Sequence, residues 1–204
     1  MRPLRSTWPP MVLILVSTLL FVSCSDEECA LCPPPCESSG WVLQPSPTAE
    51  SLTNLHVFDR NSAIAVGAAG TIIRTADGGS GWALVDAGTT ATLRDVFFLD
   101  DTHGWIVGDN GTALASTDGG WTWAPFVVPV SVTLREVVFV DRDTGFIGGG
   151  PIADQTGDPV FLQTIDGGAQ WNVRIWPFTI RTMFFADADH GWAGGGGNLE
   201  RTVD

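Results

Sequence analysis

Between residues 93 and 123, LRDVFFLDDTHGWIVGDNGTALASTDGGWTW, short apolar runs alternate with polar turns at regular intervals. A run over 93–99 ends in the turn 100–103, a second over 104–107 ends in Asp109-Asn110-Gly111, and a third over 112–116 leads into Asp118-Gly119-Gly120. A fourth begins at Trp121. Runs this short between Gly, Asn and Asp turns are strands of antiparallel hairpins, because Gly and Asn accept the positive φ of tight turns.

The same unit recurs along the chain. A shift of 41 residues towards the N-terminus turns Leu93, Gly108, Gly111-Thr112, Asp118-Gly119-Gly120 and Trp123 into Leu52, Gly67, Gly70-Thr71, Asp77-Gly78-Gly79 and Trp82. Only Gly104-Trp105 is lost, replaced by Ala63-Ile64. A shift of 41 forward gives Leu134, Gly145-Phe146 and Gly149, while Asp166 and Trp171 come 48 residues after their counterparts because residues enter around Pro151 to Asp158. A fourth copy runs from Ile180 through His190-Gly191-Trp192 and Gly195 to Asp204. Four strands per period of about 40 to 45 residues is the mark of a β-propeller blade.

The expected fold is therefore all-β, a propeller of 41-residue, four-stranded blades with inner strands starting near residues 52, 93, 134 and 180. Trp41 precedes Trp82 by 41 residues, so it is expected to open an outer strand of its own. Four blades' worth of strands result. Two readings stay open: a four-bladed ring closed by the Trp41 strand, or the leading part of a larger propeller. The second is favoured because Asp204 aligns with the first residue of an Asp-Gly-Gly turn.

The N-terminus has a different character. Arg2 and Arg5 precede a twelve-residue apolar stretch over 11–22, too short to span about 30 Å of hydrocarbon as a helix. Residues 1–23 read as an export signal, 24–40 as a Cys/Pro-rich tether and 41–204 as the repeats. Phe21-Val22-Ser23-Cys24 resembles the bacterial lipobox, which implies lipidation of Cys24 and an exported, membrane-anchored protein of the bacterial envelope, on its periplasmic or extracellular side. Cys29, Cys32 and Cys36 suit a disulfide or plain linker better than a metal site, which needs a fourth ligand or water. The chain has a formal charge of −13 and all its ten basic residues are Arg, so nucleic acid is excluded as a natural partner.

Ser116-Thr117-Asp118-Gly119-Gly120-Trp121-Thr122-Trp123 fits the Asp-box, the bacterial neuraminidase repeat, and residues 75–82 and 164–171 match it more loosely. Asp77, Asp118, Asp166 and Asp204 are expected to lock turns by accepting backbone N–H bonds, with the Trp packing between blades. Together with the L-R-D-V-F-F, H-G-W and N-G-T patterns, the unit resembles the propeller family of the photosystem II stability/assembly factor. That resemblance implies a seven-bladed, non-enzymatic, lumenal or periplasmic scaffold that holds a protein client during assembly; no cofactor or metal is expected. The chain departs from the family in blade number and in its tether.

Arg94, Arg135 and Arg181 stand at the start of successive inner strands, with Thr53 in the first copy. They are expected to approach the central channel from the face that carries the turns between second and third strands. There, forked guanidinium groups suit carboxylates or a peptide C-terminus, so the expected partner is an envelope protein or peptide client. The alternative is local pairing with Asp95 or Glu136, or solvation at a strand edge. The insertion around Pro151 to Asp158 falls on the same face, and its Asp154, Gly157 and Asp158 lack the oxygen density of a calcium loop. His103 and His190 are expected in hydrogen-bonded turns on the opposite face.

A competing function is a sialidase-like glycoside hydrolase or a carbohydrate-binding propeller. Sialidases use a Tyr nucleophile and this chain has no Tyr. Beyond the tether the only Glu residues are Glu50, Glu136 and Glu200, a poor supply for a paired-carboxylate site. No phosphate-binding loop, H-E-x-x-H or G-x-S-x-G motif occurs.

Overall fold

The computed structural model describes residues 40–151 and 157–202. Residues 1–43 and 44–204 are two compact units, and every described strand belongs to the second. The signal segment, Cys24, Cys29, Cys32, Cys36, Asp154 and Asp204 lie outside the described residues.

Four antiparallel sheets follow one another in chain order, each a meander of nearest neighbours. Blade 1 consists of β1 (Leu52–Val57), β2 (Ala63–Gly67), β3 (Ile72–Thr75) and β4 (Ala83–Val85). Blade 2 repeats it with β5 (Leu93–Phe98), β6 (Gly104–Gly108), β7 (Ala113–Ser116) and β8 (Ala124–Pro125). Blade 3 has β9 (Leu134–Phe139), β10 (Gly145–Gly149), β11 (Val160–Thr164) and β12 (Asn172–Ile175). Blade 4 shows β13 (Thr182–Phe185), β14 (Gly191–Gly195) and β15 (Asn198–Arg201). The first strands β1, β5, β9 and β13 neighbour one another in turn, so the sheets stack side by side as propeller blades do.

The core lies between blades. Ile64, Val66 and Ile72 of blade 1 meet Leu93, Val96, Phe98 and Ile106 of blade 2. Trp105 and Val107 of blade 2 meet Leu134, Phe139 and Ile147 of blade 3, and Phe146 and Phe161 of blade 3 meet Ile180, Met183 and Phe185 of blade 4. Strand alternation makes this possible, because successive residues of each second strand serve the blade before and the blade after. One ring contact repeats: Trp105 stacks on Phe139 at 3.7 Å, and Phe146 stacks on Phe185 at 3.8 Å.

Each turn has its own chemistry. In the turn between first and second strands, Asp59, Asp100, Asp141 and Asp187 accept the N–H groups of Ser62, His103, Thr144 and His190. His103 and His190 also turn Nδ1 to the same carboxylates. Between second and third strands, Ala69-Gly70 and Asn110-Gly111 both hold paired positive φ, the condition for the tight hairpin expected from Asn-Gly.

The turn between third and fourth strands is built around a hydroxyl. Thr75, Ser116 and Thr164 each donate to the following Asp, at 2.8 Å, and accept the N–H of Gly79, Gly120 and Gly168. The carboxylates of Asp77, Asp118 and Asp166 then accept the amides of Gly81, Trp121 with Thr122, and Gln170. Trp123 and Trp171 donate Nε1 to Gly120 and Gly168 carbonyls and set their rings edge-on to Phe98 and Phe139.

Trp41 departs from this scheme. It lies in no strand and is exposed, so the expected outer strand does not form there. The hydroxyls of Ser46 and Thr48 instead accept the local amides of Thr48 and Glu50.

Candidate functional site

Three of the inner strands carry an extra residue near their start. Leu93 pairs with Gly108 and Asp95 with Val107, so Arg94 is left over, a β-bulge. Arg135 is left over in the same way between Leu134 and Glu136, and Thr53 between Leu52 and Asn54. Arg181 directly precedes β13 and donates its N–H to Gly194, the residue paired with Thr182. The bulge interrupts strand alternation, so these side chains leave the interblade layers.

They converge. Thr53, Arg94, Arg135 and Arg181 line one depression of about 300 Å³. Sequence spacing had placed the three guanidinium groups on one face, and the structure brings them to one concavity.

Their electrostatics are unequal. Arg94 is held in a two-pronged pair, Nε to Asp109 Oδ1 and a terminal nitrogen to Oδ2, both at 2.8 Å. Thr133 adds a hydroxyl bond to the same carboxylate at 3.0 Å. This bond raises the Arg94 pKa, and the guanidinium and hydroxyl hold Asp109 below the usual carboxylate range against the opposing effect of burial. The local pairing expected with Asp95 does not occur. The reason is the bulge, which turns Arg94 towards the turn after β6 and Asp95 into the next blade.

Arg135 has no such partner. Its Nε is buried without a hydrogen bond. Burial, followed by repulsion from Arg181 and Arg94, lowers its pKa, and only the charge of Asp109 opposes them. A cation in this state favours an incoming anion, because ligand binding would supply the missing acceptor and offset the repulsion.

Each bulged Arg is followed by a carboxyl, Asp95 or Glu136. Asp95 accepts Asn54 Nδ2 of blade 1 at 2.6 Å and the Val137 amide of blade 3 at 2.8 Å, tying three blades together. Burial pushes it up to about 6 despite those bonds. Glu136, one strand on, is pushed up to about 8 by burial and then by the charge of Asp95, with a bond from the Met183 amide opposing. Both are therefore turned towards backbone amides rather than held as an exposed acid–base pair.

Sequence reasoning missed Asp109, Thr133 and Asn54. The signal for Asp109 was its being the one acid among the counterparts at that turn, where blade 1 has Ala68. Among the described residues no group of three or more His, Cys, Asp or Glu is placed to hold a metal ion, and no helix is long and apolar enough to cross a membrane. A larger cleft of about 380 Å³ opens between blades 3 and 4, lined by Phe161, Trp176 and Phe185 with Arg174, Glu200 and Arg201, and shares no residue with the depression at Arg94, Arg135 and Arg181.

Residues 80–151 match the family described as Photosynthesis system II assembly factor YCF48. No curated protein sequence matches the chain. Among solved structures, YCF48 bound to D1 peptide is similar at 20% identity and a TM-score of 0.57, over 76% of this chain and 54% of that one. YCF48 from Cyanidioschyzon merolae is 17% identical with a TM-score of 0.56, over 78% of this chain and 59% of that one. An ancestral GH74 enzyme is 16% identical with a TM-score of 0.54, but only 21% of that chain is covered. The chain thus spans little more than half the length of the YCF48 structures it resembles. It is a β-propeller similar in fold to YCF48, and it carries that family's sequence pattern over residues 80–151.

Proposed function

We propose that the chain is a non-enzymatic scaffold that holds a protein or peptide client through a carboxylate at Arg94, Arg135 and Arg181. The buried, unpartnered Nε of Arg135 carries this reading. A carboxylate seated there would accept the free N–H, and its charge would relieve the crowding of three guanidinium groups in one depression. The D1 peptide bound to a YCF48 of similar fold supports a peptide as the client class. The placement of Asp95 and Glu136 on backbone amides supports binding over hydrolysis.

The tether belongs to the same proposal. Cys24, lipidated after removal of residues 1–23, would hold the propeller at an envelope membrane, with 24–40 as spacer. Cys24→Ala should abolish incorporation of labelled fatty acid and release the protein into the soluble fraction.

The binding test uses a fluorescent peptide with a free C-terminal carboxylate and its amidated twin. The free acid should bind more tightly, and Arg135→Ala should weaken it about 10- to 100-fold, the range for a hydrogen bond to a charged group. Equal binding of both peptides, or an unaffected Arg135→Ala variant, would refute the site.

A further inference from the structure

Blade 2 already holds a carboxylate against a bulged Arg, and the carboxylate is its own. The amide of Asp109, the residue after β6, donates to the Thr92 carbonyl at 2.9 Å. Its carboxylate accepts Nε and a terminal nitrogen of Arg94 and, from the next blade, the hydroxyl of Thr133. Three parts make this seat: a bulged Arg, an acid after the second strand, and a Thr two residues ahead of the next blade's Arg.

Blade 3 repeats every part except the acid. Arg135 is the bulged residue, and Thr179 precedes Arg181 by two residues as Thr133 precedes Arg135. The residue after β10 is Gly150, whose amide donates to the Thr133 carbonyl at 2.9 Å, the same backbone bond that fixes Asp109. A Cβ built on Gly150 would stand 2.7 Å from the Thr179 hydroxyl oxygen, so that hydroxyl borders the space a side chain would enter. Gly150 thus lacks the one group that neutralises the Arg in blade 2, and Arg135 Nε is buried without an acceptor. Blade 1 offers no equivalent. Ala68 stands at the turn there, but the bulged residue is Thr53, which carries no charge and donates its hydroxyl to the Val66 and Leu93 carbonyls.

We propose that a client carboxylate takes the place at Gly150 that Asp109 holds in blade 2, bridging Arg135 and the Thr179 hydroxyl. The inference rests on the carboxylate reading above and adds two residues to it, Gly150 as the space and Thr179 as a second donor. A forked guanidinium with a hydroxyl beside it suits the two oxygens of a planar acid. Gly150 acts by omission, since an acid in its place would satisfy Arg135 from within and close the seat. Its φ lies outside the left-handed region, so the backbone accepts another residue there.

Binding of fluorescent peptides with free and amidated C-termini to the full chain and its variants tests the seat. The wild type should favour the free acid. Gly150→Asp should weaken the free acid about 10-fold or more, the scale of a charged hydrogen bond, and Thr179→Val about 3- to 10-fold, the scale of a neutral one. Ala68→Asp places the same charge at the counterpart turn of blade 1 and should weaken binding less than about 3-fold. In ¹⁵N spectra, solvent exchange of the Arg135 Nε–H should slow in Gly150→Asp towards that of Arg94. Thr133 adjoins Asp109 in the same way, so Asp has a precedent at this turn. Should circular dichroism show Gly150→Asp misfolded, Thr179→Val decides. Wild-type affinity in folded Gly150→Asp or in Thr179→Val, or an equal loss in Ala68→Asp and Gly150→Asp, would overturn the seat while the free-acid preference keeps the Arg depression standing. Equal binding of both peptides by the wild type would overturn depression and seat together.

Discussion

Replacing Gly104 by Ala should destabilise the chain through a single ring. Gly104 pairs across the hairpin with Phe98, and a Cβ built on it would lie 2.4, 2.5 and 2.6 Å from three atoms of that ring. Its φ lies outside the left-handed region, so the backbone itself would accept Ala. The ring has little freedom to retreat, because Phe58 and Trp123 both meet it edge-on, at 4.6 and 5.8 Å between centroids. Overpacking of this kind costs about 1–3 kcal/mol. Blade 1 shows the remedy: its corresponding pair is Val57 with Ala63, a smaller side chain opposite a larger one. Phe98→Val alone should cost about 2 kcal/mol by leaving a void. The double variant should cost less than the sum of the two by about 1–2 kcal/mol, since the clash and the void cancel. Urea unfolding of the four proteins, followed by Trp fluorescence, measures this coupling from midpoints and slopes. Additivity within about 0.5 kcal/mol would show that the ring does not dictate the glycine.

Other substitutions probe the site and its supports. Asp109→Asn should free Arg94 from its two-pronged pair and tighten binding of the carboxylate-terminated peptide about 3- to 10-fold, read by fluorescence polarisation. Glu136 and Asp95 hold their protons to about 8 and about 6, above ordinary values of 4.5 and 3.8. The folded chain therefore binds more protons than the unfolded chain, so their contribution is fully present below those ordinary values and is lost as pH rises towards 8. Glu136→Gln should flatten the fall in urea midpoint between about pH 4.5 and 8. Ser116→Ala strips the buried Gly120 amide of its acceptor and should cost about 1–3 kcal/mol in the same unfolding assay. Ser116→Thr should be tolerated, as Thr75 and Thr164 perform the same task.

The blades were legible because their determinants are local. Asn110-Gly111 and Asp118-Gly119-Gly120 specify turn geometry through their own φ preferences, and the apolar runs between them specify strands. Repetition then supplied the architecture, since a sheet with two apolar faces needs a neighbour on each side. The partners of the Arg residues were not legible. Arg94 and Asp95 are adjacent in sequence, yet the extra residue in the ladder sends one to Asp109 and the other to Val137, 42 positions on. Trp41 failed as a strand for the converse reason. Its spacing matched the repeat, but spacing alone supplies no ladder partner, and Trp41 lies in no strand. The loss of the glycine in the first copy, opaque in the sequence, follows from Val57: without a ring opposite, Ala63 fits.

The bulges at Thr53, Arg94 and Arg135 also bear on how such a protein changes over generations. A residue outside the ladder answers to fewer neighbours than the strand residues around it, and what holds it differs from blade to blade: Thr53 donates to the Val66 and Leu93 carbonyls, Arg94 to Asp109. Thr53 beside two arginines already shows one such difference within a single chain. The lining of this depression can thus differ one blade at a time while the fold stays constant.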